Sequence, residues 1–547
     1  MKKDKNKIGQ LKGRVVRRED KIIIAKILSD RQKEPELLIE YLHLIQDRYN
    51  CLPAGLLVAL ADFMGLSLAA VYEVASFYHH FDIVEDEAHT NSLTIRVCNG
   101  IACEILGSKK LYDNLREGAK DNYNLVYAPC VGACDRAPVS VVGKSQVFYG
   151  DIARIKKLRD NPDKVVSLPP YQDLNSYSSQ KGYIIFNQLR DQKISKLDVT
   201  EILKLSDLRG MGGAGFPVFK KWEFMRNQSK PRVLVVNADE GEPGTFKDRY
   251  CLENYPHIVL EGSLISAWVN EVDEIYIYLR DEYPQVRQIL ENEIKEIESA
   301  GLFARGHIKL RRGAGAYICG EETALLESIE GKRGLPRNRP PYPAENGLFG
   351  MPTLVHNVET LYWITKILLN GADWYKQNGS PRIYSVSGRV ASPGVVIAPS
   401  GVSARELIYD YCGGMSEGEE FKAYLPGGAS GGILPSHMSD IPLEFGSLEE
   451  YGCFVGSGGI VVFSDQDNIK QIVLNLLRFF AEESCGQCTP CRLGCDKLIN
   501  LTQQETRDEV LIEDIISVMR DASICGLGQA APNPLSTALL YMKSDLI

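Results

Sequence analysis

The sequence feature that most constrains the fold is a glycine-rich loop at residues 209–222. Its four glycines are Gly210, Gly212, Gly213 and Gly215. They remove every Cβ from one side of a tight loop, so backbone N–H groups can close on a phosphate or a flat ring. Lys221 follows at a spacing where its ammonium group can meet that phosphate. By itself the pattern is equally typical of a plain structural turn, and the rest of the chain has to decide.

Two further stretches join a buried strand to a glycine loop. Residues 233–236 are all apolar and run into the glycine- and acid-rich segment 237–244. Residues 308–310 run into the segment 313–322, after which a helical pattern begins. Strand, glycine loop and helix in this order place nucleotides at strand ends in α/β proteins. The sequence therefore predicts an α/β nucleotide-binding domain.

The placement of the 14 cysteines indicates metal sites. Eight of them form two groups, namely Cys98, Cys103, Cys130 and Cys134, and Cys485, Cys488, Cys491 and Cys525. In a large chain without a secretory signal, clustered cysteines are more often metal ligands than disulfides. The other six are expected to be small buried residues, namely Cys51, Cys251, Cys319, Cys412, Cys453 and Cys495.

The C-terminal cysteine group suits a [4Fe–4S] cluster. Cys485, Cys488 and Cys491 are separated by two intervening residues each in one short loop, and Cys525 lies in a glycine-flanked turn that can present a fourth thiolate. Zinc is the alternative, because four cysteines also make structural zinc sites. Zinc motifs usually come as two paired units, whereas three cysteines are together here, so we favour iron–sulfur.

The N-terminal cysteine group offers two pairs, one for each iron of a [2Fe–2S] cluster. Zinc is again the alternative. A two-residue apolar period before Cys98, a helical stretch after Cys103 and a hairpin-like segment at 139–148 mix strands and helices in about 75 residues. That mixture suggests a thioredoxin-like unit.

The three glycine stretches resemble the flavoprotein subunit of respiratory complex I and its relatives, which bind FMN and NAD(H) in one cavity. The resemblance implies that FMN is held by Gly210, Gly212, Gly213, Lys221, Asn237, Asp239, Glu240, Tyr317, Gly320, Glu321 and Asn357. It implies that the NAD side is lined by Phe216, Phe224, Glu242, Glu322, Arg339 and Tyr342. This chain has Arg339 and Tyr342 where many members have lysine and phenylalanine, so charge and aromaticity are kept.

The N-terminal cysteine pattern and the helices before it resemble the thioredoxin-like small subunit of complex I. The two units are usually separate chains, so this chain resembles a fusion of both, over about residues 34–540. The expected fold class is multidomain α/β. The expected segments are a basic tail (1–33), a helical bundle (34–90), a thioredoxin-like [2Fe–2S] domain (91–165), a linker (166–195), a Rossmann-like FMN/NAD-binding domain (196–380), a β-grasp-like (SLBB) insert (381–465) and a helical [4Fe–4S] domain (466–547).

The resemblance implies a diaphorase, an enzyme module that moves electrons between NAD(H) and iron–sulfur clusters through FMN. Hydride exchange occurs between the nicotinamide and the flavin, so no side chain is needed as a catalytic nucleophile. The alternative from another class is a non-catalytic iron–sulfur scaffold that has lost the flavin. The complete glycine loop, Asn237 and the segment 320–322 argue against that alternative.

Three stretches, at 38–47, 76–82 and 280–284, are similar to the β subunits of molybdenum- or tungsten-dependent formate dehydrogenases. The sequence contains no recognisable molybdopterin or nickel site, so the expected partner is a catalytic chain with further iron–sulfur clusters. The alternatives are the diaphorase subunit of an NAD-reducing hydrogenase and a fused complex I NADH-input module.

The net charge of −9 argues against nucleic acid as the main partner. No apolar run approaches the ~20 residues of a membrane span. Residues 1–18 are basic and polar without the apolar core of a secretory signal. We therefore expect a cytoplasmic protein that does not insert into membranes.

Overall fold

The computed structural model describes residues 14–29, 31–85, 93–117, 123–161 and 166–546. Contacts divide the chain into two compact units. The first contains the described residues up to 85 together with the segment 331–333, and the second contains the remaining described residues.

The first unit is helical. Its helices are α1 (Arg18–Leu28), α2 (Leu38–Tyr49), α3 (Ala54–Met64) and α4 (Leu68–Phe77). Two short parallel strands, β1 (Leu52–Pro53) and β2 (Ile83–Val84), pair beside them. The core is apolar and includes the fully buried Leu42, Ile45 and Leu60.

Helix α1 corrects the expectation of a tail up to residue 33. Ile24 and Leu28 are four residues apart and both are buried, so they form one apolar helix face. Lys21 pairs with Asp62 of α3 at 2.9 Å. The segment is rich in basic residues, so its composition indicates a solvated tail although it contains this short apolar helix face. Residues 1–13 of the expected tail lie outside the described residues.

The second unit begins with the thioredoxin-like domain. Its elements are β3 (Leu93–Cys98), α5 (Ile101–Ile105), α6 (Ser108–Glu117), β4 (Tyr123–Ala128), β5 (Ser140–Val142), β6 (Ser145–Val147) and α7 (Ile152–Asp160). The sheet order is β4-β3-β5-β6, with β3 parallel to β4 and the β5–β6 hairpin antiparallel. This mixed α/β unit is the one that the sequence predicts.

The expected linker at 166–195 is folded and packed instead. It contains α8 (Leu174–Ser179) and α9 (Ile184–Arg190). The buried carboxylate of Glu261 accepts hydrogen bonds from the backbone N–H groups of Tyr183 and Phe186, at 2.9 and 3.3 Å. The prolines and serines of this segment indicate a linker. In the structure aromatic side chains of the segment are buried, and the Glu261 carboxylate binds the first turn of α9, so the segment is packed against the domain. Residues 162–165 lie outside the described residues.

The central domain carries a four-stranded parallel sheet of β7 (Val233–Ala238), β8 (Glu274–Leu279), β9 (Ile308–Arg312) and β10 (Thr353–Asn357). The strand order is β10-β7-β8-β9. The helices of this domain are α10 (Lys196–Ser206), α11 (Val218–Arg226), α12 (Lys247–Asn254), α13 (Pro256–Asn270), α14 (Pro284–Ser299), α15 (Glu322–Ile329), α16 (Val358–Asn370) and α17 (Ala372–Gln377). The apolar strands are buried between these helices, as expected for a parallel sheet.

The insert is a five-stranded mixed sheet of β11 (Arg382–Gly388), β12 (Gly394–Ala398), β13 (Phe421–Leu425), β14 (Leu434–Pro435) and β15 (Gly459–Ser464), with a short helix α18 (Ala404–Glu406). Its order is β12-β11-β15-β13-β14, with β11 and β15 parallel at the centre. This arrangement agrees with the expected β-grasp-like insert.

The C-terminal region is helical, as predicted, with α19 (Ile469–Glu482), α20 (Thr489–Gln503), α21 (Glu509–Ala522), α22 (Gly526–Ala530) and α23 (Asn533–Tyr541). In the part of the chain that the structure describes, no helix has both the length and the apolar character that crossing a membrane requires.

Candidate functional site

The candidate site lies at the carboxyl edge of the parallel sheet. From β7 the chain builds the sheet in one direction through β8 and β9, and β10 then returns to the other side of β7. Ligands of open α/β sheets bind where the strand order reverses in this way. Asn237 and Asn357, both predicted FMN ligands, are register partners at the carboxyl ends of β7 and β10. The topology thus brings two distant motifs to one crevice.

The glycine loop closes on this crevice. Gly210 N–H donates to the Phe216 carbonyl at 2.9 Å, and Met211 N–H donates to Thr360 Oγ1 of α16 at 2.9 Å. A Cβ at Gly212 would lie 3.2 Å from Asn357 Cβ. The missing side chain therefore allows the loop to approach the strand end, which is the cradle that a flat cofactor needs.

A polar bridge joins the second and third motifs. Asn237 Nδ2 donates to the Gly320 carbonyl at 2.9 Å, and Asp239 N–H donates to Asn237 Oδ1 at 3.1 Å. Asp239 Oδ2 is buried, and no hydrogen-bond partner for it is present among the described residues. Burial raises the pKa of Asp239 well above its ordinary value. A buried carboxyl oxygen without a described partner beside the crevice fits a polar ligand such as FMN, which carries both hydrogen-bond donors and acceptors.

Two glutamates that are predicted to bind FMN accept hydrogen bonds from the first turns of helices. Glu240 accepts hydrogen bonds from the N–H groups of Asp248 and Arg249 at 2.8 and 3.1 Å, at the start of α12. Burial, and then the nearby Asp248, raises the pKa of Glu240 to about 7. Glu321 is the N-cap of α15 and accepts from the Thr323 and Ala324 N–H groups at 3.0 and 2.9 Å. Both carboxylates stabilise the loops around the crevice from within the protein.

The predicted NAD side combines exposed aromatic rings with an ion cluster. Phe216, Phe224 and Tyr342 are 52%, 55% and 53% exposed, so their faces are available for stacking. Glu322 lies 3.6 Å from Lys221 Nζ and 3.2 Å from Arg339 Nη1. Lys221 also donates to the Val355 carbonyl at 2.9 Å. These are the two cations that the sequence assigned to the cofactors.

Two serines that the sequence patterns do not identify hold the predicted NAD residue Glu242. Its carboxylate accepts hydrogen bonds from the Ser430 N–H at 2.9 Å, from the Ser430 hydroxyl, and from Ser457 Oγ at 3.1 Å. Both serines belong to the β-grasp-like insert, far from Glu242 in sequence. No local signal links them to Glu242.

A buried charged layer supports the crevice from below. Lys247 Nζ lies 2.8 Å from Asp248 and 3.0 Å from Glu359, and all three side chains are buried. Asn357 Nδ2 donates to the other Asp248 oxygen at 2.6 Å. The predicted FMN ligand Asn357 is therefore positioned by an ion network that the sequence motifs do not indicate.

The structure brings Cys98, Cys103, Cys130 and Cys134 together, all of them buried. The Cys130 and Cys134 sulfurs are 3.5 Å apart. Hydrogen bonds from the Cys134 and Cys98 thiols lower the pKa of Cys130 well below its usual value, and the bond with Cys103 raises that of Cys98. One of these thiols is thus ionised more easily at the expense of its neighbours, whereas a bound metal would stabilise all four as thiolates. The donor set fits a thiolate-bound [2Fe–2S] centre.

This cysteine site contacts the central domain at the end of β8. Arg280 Nη2 donates to the Cys130 carbonyl at 2.7 Å, and its Nη1 donates to the Glu240 carbonyl. Gln146 Nε2 donates to the carbonyls of Val131 and Glu282, at 3.0 Å each. One arginine thus connects the N-terminal cysteine site with the second glycine motif.

The second cysteine group meets at the start of α20. Ser484 Oγ lies 3.3 Å from Cys491 Sγ. Burial raises the pKa of Cys525 to about 12, and the neighbouring Cys485 thiol contributes to the rise. A Cβ at Gly528 would lie 2.9 Å from Cys491 Cβ, so the Cys525 turn packs directly on the cysteine loop. The arrangement fits a thiolate-bound [4Fe–4S] cluster, and Cys525 as its fourth ligand stays a prediction, because the Cys495 thiol also hydrogen-bonds Cys491.

The third glycine motif reaches this cluster segment. Tyr317 N–H donates to Glu483 Oε2 at 2.8 Å, two residues before Cys485. The Tyr317 and Phe479 rings are 5.1 Å apart, centre to centre. Burial raises the pKa of Glu483 to about 8. The crevice and the C-terminal cysteines are therefore joined through one tyrosine.

Three family models match the chain. Residues 203–366 match the Nuo51 FMN-binding domain, and residues 24–159 match the thioredoxin-like [2Fe–2S] ferredoxin. Residues 471–547 match the iron–sulfur binding region of NADH-ubiquinone oxidoreductase-F. The three matches cover the three sites described above.

Curated relatives and solved structures extend these matches. The chain is 37% identical to the NADH-quinone oxidoreductase F-subunit 2 of Rhizobium meliloti (strain 1021), over 70% of this chain and 95% of the relative. It is 39% identical to the NADH-quinone oxidoreductase F-subunit of Aquifex aeolicus (strain VF5), over 66% and 88%. A chain in a crystal structure of an air-oxidized NAD+-reducing [NiFe]-hydrogenase superposes with a TM-score of 0.82 and 31% identity, over 95% of this chain and 94% of that one.

Proposed function

Because this chain belongs to the NADH-quinone oxidoreductase F-subunit family, we propose that it is the diaphorase component of a larger complex, exchanging electrons between NAD(H) and a partner enzyme. It is an oxidoreductase component with FMN, one [2Fe–2S] and one [4Fe–4S] cluster. The observation that carries the proposal is the crevice at Asn237 and Asn357, which Tyr317 joins to the C-terminal cysteines.

FMN, when bound, supplies the exchange of an electron pair with nicotinamide and of single electrons with iron–sulfur clusters. The residues of this chain bind and orient it. Gly210, Gly212 and Gly213 give close backbone approach, and Asp239 Oδ2 offers a buried polar atom without a partner among the described residues. The Lys247–Asp248 pair fixes the Asn357 amide at the floor of the crevice.

On the nucleotide side, Phe216, Phe224 and Tyr342 offer faces for aromatic rings of NAD, and Arg339 offers a cation for its phosphates. A carboxylate accepts hydrogen bonds from ribose hydroxyls but repels a 2′-phosphate. We therefore infer that Glu242 and Glu322 favour NAD over NADP. Glu242→Gln is expected to relax that preference, and wild-type activity with NADPH equal to that with NADH would contradict the role of Glu242.

Electrons pass between the flavin and the partner, in either direction, through the C-terminal cysteine site; the contact of Tyr317 with the segment that leads into Cys485 supports this route. The N-terminal cysteine site lies beside β8 and contacts the crevice motifs through Arg280. We assign it a role as an electron store next to the flavin.

The cofactor assignment is tested by metal and flavin analysis of the purified chain. About six irons and one FMN per chain are expected from the two cluster types. The isolated chain should reduce an artificial acceptor with NADH. Zinc in place of iron, together with no flavin absorbance, would instead favour a scaffold without redox chemistry.

For the partner, we propose the catalytic chain of a molybdenum- or tungsten-dependent formate dehydrogenase. The support is the similarity of residues 38–47, 76–82 and 280–284 to β subunits of those enzymes. The overall reaction would be formate and NAD+ to CO2 and NADH, with formate oxidised on the partner chain.

The second candidate is the diaphorase component of an NAD-reducing hydrogenase, and the superposition over 95% of this chain favours it. Co-purification of the native complex, with analysis for molybdenum, tungsten and nickel, separates the two. Formate-dependent NAD reduction by the complex, absent from the isolated chain, supports the first candidate. Hydrogen-dependent reduction and bound nickel support the second.

A further inference from the structure

The carboxylate of Glu242 is nearly saturated with hydrogen bonds. Oε1 accepts from both the N–H and the hydroxyl of Ser430, and Oε2 accepts from Ser457 Oγ at 3.1 Å. An ionised carboxylate has about four lone-pair positions. Among the described residues these three donors leave one acceptor position on Oε2, with its direction set by the two serines. We call Ser430 and Ser457 the serine clamp.

The clamp approaches Glu242 so closely that a side chain cannot fit between them. A Cβ at Gly428, where φ is +75°, would lie 2.8 Å from Glu242 Cδ. Gly428 precedes the short helical turn of residues 429–431, which carries Ser430. This is a position at which only glycine allows the backbone to approach.

The clamp is itself fixed from three sides. Ser457 Oγ and Thr245 Oγ1 are 2.9 Å apart, and Asn533 Nδ2 of α23 donates to the Ser430 carbonyl at 3.0 Å. The turn before Ser457 lies on the glycine loop, because a Cβ at Gly213 would be 3.7 Å from the Gly456 carbonyl carbon. The serines are therefore held rigidly against the predicted nucleotide side.

We propose that Ser430 and Ser457 are positioning residues that aim the one open acceptor position of Glu242 at a hydrogen-bond donor of the nicotinamide nucleotide. The donor is an amide N–H or a ribose hydroxyl, which share the same chemistry. This inference rests on the proposed function, since it needs a nucleotide in the crevice. It assigns to the β-grasp-like insert a role in nucleotide selection.

The serine clamp also favours the ionised form of Glu242 over the protonated form. Burial raises the pKa of Glu242, and the hydrogen bonds from Ser430 and Ser457 oppose that rise. Among the described residues the titratable group beside it is Tyr317, whose pKa burial raises well above its usual value, so its hydroxyl stays neutral. Loss of the serine hydroxyls then raises the pKa of Glu242, and nucleotide binding that needs the carboxylate is lost at a higher pH than in the wild type.

The test uses the full chain with its cofactors and the variants Ser430→Ala, Ser457→Ala and both together. Ser392→Ala, at an exposed serine of the same insert, is the matched control. The dissociation constant of NAD+ with the oxidised chain is measured from about pH 5.5 to 9 by the change in flavin fluorescence, a range in which buried carboxyl groups with raised pKa values titrate. Each single variant should weaken binding about tenfold, the lower end for a hydrogen bond to a charged group. The pH at which half of the nucleotide binding is lost should rise, and the FMN content should stay unchanged. Ser457→Thr keeps the hydroxyl group and should therefore bind the nucleotide as the wild type does.

Nicotinic acid adenine dinucleotide distinguishes the two donors. If the donor is the carboxamide, this acid analogue binds the wild type more weakly than NAD+, and the double variant loses that discrimination. If the donor is a ribose hydroxyl, the two nucleotides bind alike. If the folded double variant binds the nucleotide with wild-type affinity and loses binding at the same pH as the wild type, Ser430 and Ser457 do not position Glu242. A wild-type chain that holds FMN but binds no nucleotide would instead overturn the proposed function.

Discussion

Replacement of Lys247 by methionine tests whether the buried ion layer supports the flavin crevice. The Lys247 side chain is 1% exposed and lies 2.8 and 3.0 Å from the carboxylates of Asp248 and Glu359. Burial alone would lower the pKa of Lys247, but these carboxylates and Glu240 raise it above its ordinary value. The lysine is therefore charged throughout the ordinary pH range.

The expected cost follows from burial. Methionine has a similar length but no charge, so it leaves two buried carboxylates without their cation. Removing one partner from a buried ion pair costs about 3–5 kcal/mol. Lys309→Met is the matched control, because Lys309 Nζ lies 2.8 Å from Glu274 but is 35% exposed. Such solvent-screened pairs contribute about 0.2–1 kcal/mol.

Urea unfolding followed by circular dichroism measures the difference. With an unchanged m-value, the shift in the midpoint multiplied by m gives the loss in the free energy of unfolding. Adding Glu359→Gln to Lys247→Met should recover part of that loss, because it removes one of the two unpaired charges. FMN affinity should fall as well, since Asp248 holds Asn357. Equal losses in Lys247→Met and Lys309→Met would refute the reasoning.

Three further predictions concern cofactor ligands and pH. Cys525→Ala should abolish the [4Fe–4S] electron paramagnetic resonance signal and leave FMN bound, whereas Cys495→Ala should keep the signal and cost on the order of 1 kcal/mol; the opposite pattern would exchange their roles. Gly212→Ala should lower FMN content with iron unchanged, measured by absorbance, because the new Cβ would lie 3.2 Å from Asn357 Cβ. The pKa of Glu240 is raised from 4.5 to about 7 by burial, so folding favours its protonated form. The difference in the free energy of unfolding between the wild type and Glu240→Gln should therefore change with pH, and the wild type should lose stability relative to the variant as pH rises from about 4.5 to 7. A difference that does not depend on pH would contradict this.

The cysteine groups and glycine loops were the most predictable features, because their chemistry is local in sequence. Three cysteines with two residues between each pair can supply three thiolates to one cluster whatever the rest of the fold does. The strand order and the register of Asn237 with Asn357 follow from how separate strands pair. Sequence patterns predicted strands β7 and β9 of this sheet but not which strand returns beside β7.

The errors and omissions have one physical cause, which is packing between distant segments. The Glu261 carboxylate of α13 accepts a hydrogen bond from the start of helix α9 and so stabilises a segment that was expected to be a linker. Residues 166–195 alone do not indicate that contact. Ser430 and Ser457 are likewise ordinary serines until the insert folds against Glu242. The motifs that contain Glu240 and Glu321 likewise do not indicate that these carboxylates bind helix N-termini, and both residues stay predicted FMN ligands.

The contacts of Ser430 also bear on where the chain can be cut. Its backbone and side chain meet Glu242 of the central domain and Asn533 of α23, so one short turn belongs to three modules at once. A recombinant fragment ending at residue 380 would carry every glycine motif and still lack the turn that orients Glu242. If the serine clamp acts as proposed, the smallest piece able to recognise a nucleotide extends past the border at residue 380, and exchanging the insert between homologues should alter cofactor preference as well as stability.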